Sequence, residues 1–281
     1  MIRWLVVGGW WLGTSALAAE GYDFSGPARV YLYTVNQEVA WVSAGDSVRF
    51  TSEIAWKLAL KARSVGNRQV ELGATVVRVI ARHDGPGSSH RFDSASADDD
   101  ALLGHLKAVE GAVLGVTVDR TTGRVSAVTG GEAIVSAITA RAPNRADPTA
   151  PSPLAASAAA TYAPEALVRQ WDALLALPGA EAQVALAAPL SGNATRTWDK
   201  EGWTLRLAPE ALPMVVQLFR DPTPVSGQIT AFSASGTASV GNGWPLGGSG
   251  TLRFTLALGA MTQPVNQEHT LRWTLADITQ R

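Results

Sequence analysis

From Val48 onward the chain alternates. Val48, Phe50, Ile54, Trp56 and Leu58 occupy even positions, and Arg49, Thr51, Glu53, Lys57 and Lys61 occupy odd ones. A two-residue period puts all the apolar side chains on one side of an extended strand and all the polar ones on the other, whereas a helix would scatter them. Arg29 to Ser43, rich in Val and Tyr, reads as the preceding strand, with a turn at Gly45-Asp46. Beyond a turn at Gly66-Asn67, Val70, Leu72, Ala74 and Val76 alternate until the phase slips to Val77, Val79 and Ala81, which predicts a bulge. The same alternation returns late in Leu252, Phe254, Leu256 and Leu258, and in Leu271, Trp273 and Leu275. Gly227–Val240, Gly250–Leu258 and Glu268–Asp277 therefore read as successive antiparallel strands.

Between these strand-rich ends the period changes. Leu102, Leu103, Leu106 and Val109 follow Asp98-Asp99-Asp100, an acidic triplet suited to the positive end of a helix. Ile134, Ala137, Ile138 and Arg141 recur at helical spacing, as do Leu167, Trp171, Leu174 and Leu175 behind Pro164. Val113–Asp119 and Arg124–Val128 form a hairpin about Thr121-Thr122-Gly123. Residues 143–161, rich in proline and alanine with no apolar period, read as a flexible connector. It divides a β-rich half (20–142) from a helix-plus-β-meander half (162–281), the two making one composite domain. The fold class is α+β, mostly β: long curved antiparallel sheets with a few amphipathic helices on the apolar face. A closed outer-membrane barrel competes with this reading. Against it stand the helices, the connector, the scarcity of aromatics and the Arg281 terminus.

The first residues do not belong to this pattern. Arg3, the uncharged run Trp4–Leu12 and the small residues Ala16-Leu17-Ala18-Ala19 have the three parts of a secretory signal, so residues 1–19 are expected to be cleaved. The run is shorter than the roughly 20 apolar residues of a membrane span. The mature chain is thus expected to be soluble, periplasmic or secreted, without an integral membrane segment. Cysteine is absent, which excludes disulfides, thiol chemistry and a lipid-modified cysteine. The net charge of −1 offers no basic footprint for nucleic acid.

Arg91-Phe92-Asp93-Ser94, Leu102-Leu103-Gly104 and Val116-Thr117-Val118-Asp119, followed by Gly123-Arg124-Val125 and Val128, resemble a broad group of bacterial secreted proteins and lipoproteins of unknown function. In that group a Phe-Asp-Ser step leads to a helix and a V-x-V-D-x-x-G-x-V strand. The resemblance covers residues 29–140. It implies the fold and carries no catalytic residue.

Motifs that bear chemistry are scarce. His90, Asp93 and Ser94 motivate a remote hydrolase reading, but residues 90 and 93 of a strand point to opposite faces and no nucleophile-elbow glycines flank Ser94. The triplet at 98–100 lacks the alternating ligands of a calcium loop. Neither a metal nor a cofactor is expected. Gly241–Gly250 reads as a mobile hairpin loop around Trp244, because no Lys-Ser/Thr or helix follows it as a phosphate cradle requires. Seven tryptophans lie beyond the signal, and core filling explains them best. The leading expectation is a non-catalytic protein that holds an apolar, lipid-like small molecule on the curved sheet. Its candidate face is Phe50, Ile54, Trp56, Phe254, Leu256 and Trp273. The alternative is a structural component that contacts an envelope protein through the connector and the Trp244 loop.

Overall fold

The computed structural model describes residues 21–44, 46–96, 100, 102–141, 152–178, 182–185, 193–199, 202–207, 213–218, 221–258 and 265–279. The segment expected to be a signal, Asp98, Asp99 and residues 142–151 lie outside them. Along the chain come β1 (Arg29–Ser43), β2 (Asp46–Val65), β3 (Gln69–Gly85), β4 (Ser88–Asp93), β5 (Val113–Asp119) and β6 (Val125–Thr129). Three helices follow: α1 (Gly131–Arg141), α2 (Pro153–Thr161) and α3 (Pro164–Leu175). Then come β7 (Ala182–Ala185), β8 (Asn193–Trp198), β9 (Trp203–Leu207), β10 (Pro213–Leu218), β11 (Asp221–Gly241), β12 (Trp244–Leu258) and β13 (Val265–Asp277). All the strands join one antiparallel sheet that is not closed, in the order β6-β5-β3-β2-β1-β13-β12-β11-β9-β8-β7, with β4 on β3 and β10 on β11. The β1–β13 pairing unites the first and last strands, so both halves of the sequence share the sheet.

The alternation does what it predicts. Tyr33 opposes Trp56, Val35 opposes both Ile54 and Trp273, and Leu252 opposes Leu271, so the apolar positions of neighbouring strands share one face. The other face is wet and carries ion pairs such as Arg49–Glu38 and Arg63–Glu71. The slip near Val77 is a bulge: the β2–β3 register shifts there and Val77 is left exposed.

Three expectations need correction. Gly241–Gly250 is no loop. Asn242 (φ 52°) and Gly243 (φ 69°) make a two-residue turn with both φ values positive, as the tightest hairpins require, and β12 begins at Trp244. The later glycines are there for space. A Cβ on Gly250 would collide with the indole of Trp273 and lie 2.9 Å from Trp203, and one on Gly248 would lie 3.4 Å from Trp273. Trp203 and Trp273 stack over this stretch, 6.4 Å between centroids. Second, the expected connector contains helix α2, started by Ser152, whose Oγ accepts from the Ala155 N–H at 3.1 Å, with Pro153 in the first turn. Alanine, read as flexibility, is here the best helix former. Third, the segment after the acidic triplet is a short 3-10 helix, Gly104–Val109. Asp100 caps the turn before it, accepting from the N–H groups of Leu102 and Leu103, both at 2.8 Å.

The sheet is strongly curled. Residues 21–25 run from the β5–β6 turn to the β11–β12 turn: Tyr22 N–H donates to the Arg120 carbonyl at 2.7 Å, and Phe24 N–H to that of Gly243 at 3.1 Å. β5 and β11 stand six strand spacings apart in the sheet order. In a flat sheet that is about 29 Å at about 4.8 Å per strand, whereas Tyr22 to Phe24 can reach only about 7 Å. Curling removes the difference. The Phe24 ring meets Trp244 edge-on at 5.1 Å, and Trp244 Nε1 donates to the Ser25 carbonyl at 2.6 Å, sealing this end of the core.

α3 holds the margins of the curl. Asp172, 3% exposed, accepts from Arg124 Nε at 2.7 Å and from the Val125 N–H at 3.1 Å, both at the start of β6. Its other oxygen faces Arg196 Nη2 of β8 at 3.7 Å. One carboxylate thus meets the edge strand β6 at one end of the sheet and the next-to-last strand β8 near the other.

Candidate functional site

The helices do not pack flush on the sheet. Between them and its apolar face lies a cavity of about 480 Å³. The sheet side is built by Tyr33 and Val35 of β1, Ile54, Trp56 and Leu58 of β2, Val76, Leu114 and Leu271. The helical side comes from Leu106 and Val109 of the 3-10 helix, Ile134 and Ile138 of α1, Leu154 and Ala158 of α2, and Leu167, Trp171 and Leu174 of α3. α3 supplies its wall because Leu167, Trp171 and Leu174 recur at three- and four-residue intervals and so share one side of a helix. Tyr33 lies against Trp56 with rings 5.2 Å apart and nearly parallel, a flat floor within the apolar lining.

Among the described residues no Asp, Glu, Lys or Arg side chain contributes to the lining. Its polar groups are Gln37, His105, Ser157, Thr161, Tyr162 and Gln170, with the Tyr33 hydroxyl. Burial pushes the Tyr33 phenol well above its ordinary range and that of Tyr162 up to about 12, so both stay protonated. Burial also lowers the pKa of His105, against a smaller opposing effect from its 2.9 Å hydrogen bond to the Leu102 carbonyl. Neither phenol hydroxyl makes a hydrogen bond among the described residues. An arrangement of this kind offers contact area and neutral hydrogen bonds, with no nucleophile–base pair.

The six residues expected to form an apolar ligand face do share one face of the sheet, by register. Only Ile54 and Trp56 line the cavity. Trp273 is taken up in the stack with Trp203. Phe254 and Leu256 belong to a separate apolar cluster with Ile229 and Leu258, and Phe254 stacks on His269 at 4.3 Å. Phe50 lies beside the ring of His83. Tyr33, Val35, Leu271 and the helical residues were absent from the expected face. Their signal was the apolar stripes of the helices and the residues paired with Ile54 and Trp56 across β1.

The remote hydrolase group is not assembled. Ser94 is buried and its Oγ accepts from the Val79 N–H at 2.9 Å. Asp93 is bound by Arg78, and His90 by Asp100 at 3.2 Å. Among the described residues no group of three or more His, Asp or Glu could hold a metal ion, and no helix is long and apolar enough to cross a membrane. Trp244, expected in a hairpin loop either packed or presented at its tip, is packed, at 1% exposed.

No protein-family model matches the chain, and no curated protein is similar to it. Among solved structures it is similar to lipovitellin, from work on lipid–protein interactions, at 10% identity and a TM-score of 0.45. That match covers 91% of this chain and 25% of the other, so the chain spans a quarter of that protein's length. It is similar also to an outer membrane channel from Pseudomonas putida F1, at 8% identity and a TM-score of 0.22, over 91% of this chain and 98% of that one.

Proposed function

We propose that the chain is a non-catalytic binding protein that shelters an apolar, lipid-like small molecule between the curled sheet and its helices. The observation that carries this reading is the cavity of about 480 Å³, walled mainly by aliphatic and aromatic side chains and, among the described residues, by no Asp, Glu, Lys or Arg. Its volume falls within the range that encloses one drug-sized ligand. The proposal includes export: residues 1–19 have the pattern of a cleaved signal, so the protein works in the periplasm or outside the cell. The resemblance of residues 29–140 to bacterial secreted proteins accords with that placement. A role in contacting an envelope protein through Trp244 has less support, because that side chain is buried.

The test is native mass spectrometry of the chain from residue 20 onward, produced through a secretory route, with organic extraction of anything bound. A stoichiometric apolar passenger supports the proposal. A clean apo mass, with no uptake from an added lipid extract, removes it.

A further inference from the structure

Resting on the reading of the cavity as a ligand site, we infer that its occupant is an uncharged amphiphile with a single hydrocarbon tail, such as a long-chain alcohol, ester or amide. Three observations point this way. Among the described residues the lining holds no Asp, Glu, Lys or Arg, and burial favours the neutral form of His105, so a carboxylate, phosphate or ammonium group drawn inside would lose its hydration without gaining a counter-charge. Of the charged residues on α3 nearest the lining, Asp172 is bound by Arg124 and faces Arg196 across the margin of the sheet, and Arg169 does not line the cavity. An acid therefore binds only by neutralising itself or by leaving its head in water.

The second observation concerns hydrogen bonds. Tyr33 and Tyr162 line the cavity, each half-buried, and neither hydroxyl has a hydrogen-bond partner among the described residues, so both are open to a ligand. Burial keeps both protonated, so each presents a donor together with acceptor lone pairs. The amides of Gln37 and Gln170 add further neutral donors and acceptors. This set matches a hydroxyl, ester or amide. Third, the volume suits one tail with a small head, and the two tails and headgroup of a phospholipid exceed it.

The experiment is calorimetric titration of the delipidated protein at about pH 8, where a carboxylic acid is ionised. Three probes with the same dodecyl-length tail are used below their micelle concentrations: monolauroylglycerol, lauric acid and dodecyltrimethylammonium. The glyceride is expected to bind about tenfold or more tighter than either charged probe. Tyr33→Phe with Tyr162→Phe is expected to weaken glyceride binding and so narrow that preference, while leaving tail binding intact. Lauric acid or the ammonium probe binding as tightly as the glyceride overturns the inference and leaves the apolar-site reading standing. Failure of all three to bind overturns the site itself.

Discussion

Asp172→Asn tests whether the sheet is held curled by a single buried carboxylate. The substitution preserves shape and keeps an oxygen for the Val125 N–H and Arg124 Nε, now 3.1 and 2.7 Å from Asp172. It removes the negative charge. Arg124 is partly exposed and recovers its hydration, but Arg196 is 5% exposed and its Nε has no hydrogen-bond partner. Burial already lowers the pKa of that guanidinium, and Asp172 is the group that opposes the effect. Removing one member of a buried ion pair costs about 3–5 kcal/mol, because a charge is left uncompensated. The retained hydrogen bonds place Asp172→Asn at the lower end, about 3 kcal/mol. For a protein of this size that lowers Tm by roughly 6–12 °C. Differential scanning calorimetry and urea denaturation give the value. Adding Arg196→Met, which deletes the stranded charge and keeps an apolar stem, is expected to recover most of the loss. A single variant within about 0.5 kcal/mol of wild type, or no recovery in the double variant, would refute the reasoning.

Four further outcomes follow from the same geometry. His105 and His269 both have pKa values lowered by burial, so the fold prefers them neutral; stability is full above the ordinary histidine value of about 6.5 and falls as pH drops below it, a slope that Tm against pH should show and His105→Gln with His269→Gln should flatten. A second loss is expected from about pH 4 downward, as the Asp93 carboxylate, held at about 2 chiefly by Arg78 and by the Ala95 N–H, takes its proton; Asp93→Asn should make that loss smaller, with Asp84, Asp100, Asp119 and Asp277 supplying the rest. Gly250→Ala forces a methyl against Trp273 and Trp203 and is expected to cost about 1–3 kcal/mol and to change the near-ultraviolet dichroism of the stacked indoles. Phe24→Ala opens the seal against Trp244 and is expected to cost about 3–5 kcal/mol in denaturant unfolding.

The strands were readable because a half-buried sheet writes its period into the sequence: Phe50, Ile54, Trp56, Phe254, Leu256 and Trp273 all fell on the face the alternation assigns them. Where the site lies on that face was not readable. The helices settle over β1 and β2 near Tyr33 and Trp56, and no local pattern states where along a strand a helix will land. Gly241–Gly250 misled for a related reason. Glycine density signals a loop unless a large ring from a distant strand needs the room, and Trp203 comes from β9. Alanine in α2 likewise carried no amphipathic period, although Ser152-Pro153 is a start signal that could have been weighed. Curling left no local trace, since it depends on Asp172 meeting arginines 48 positions before it and 24 after.

One titration tests most directly whether the cavity is a binding site. A neutral fluorescent apolar probe, N-phenyl-1-naphthylamine, is added to the delipidated wild-type protein and to two variants of adjacent β1 residues. Val35→Trp drives an indole into the cavity, while Asn36→Trp places the same ring on the opposite, exposed face. The account predicts saturable one-site binding to wild type, retained in Asn36→Trp and lost in Val35→Trp. Absence of saturable binding, or equal binding by Val35→Trp in a folded protein, would contradict it.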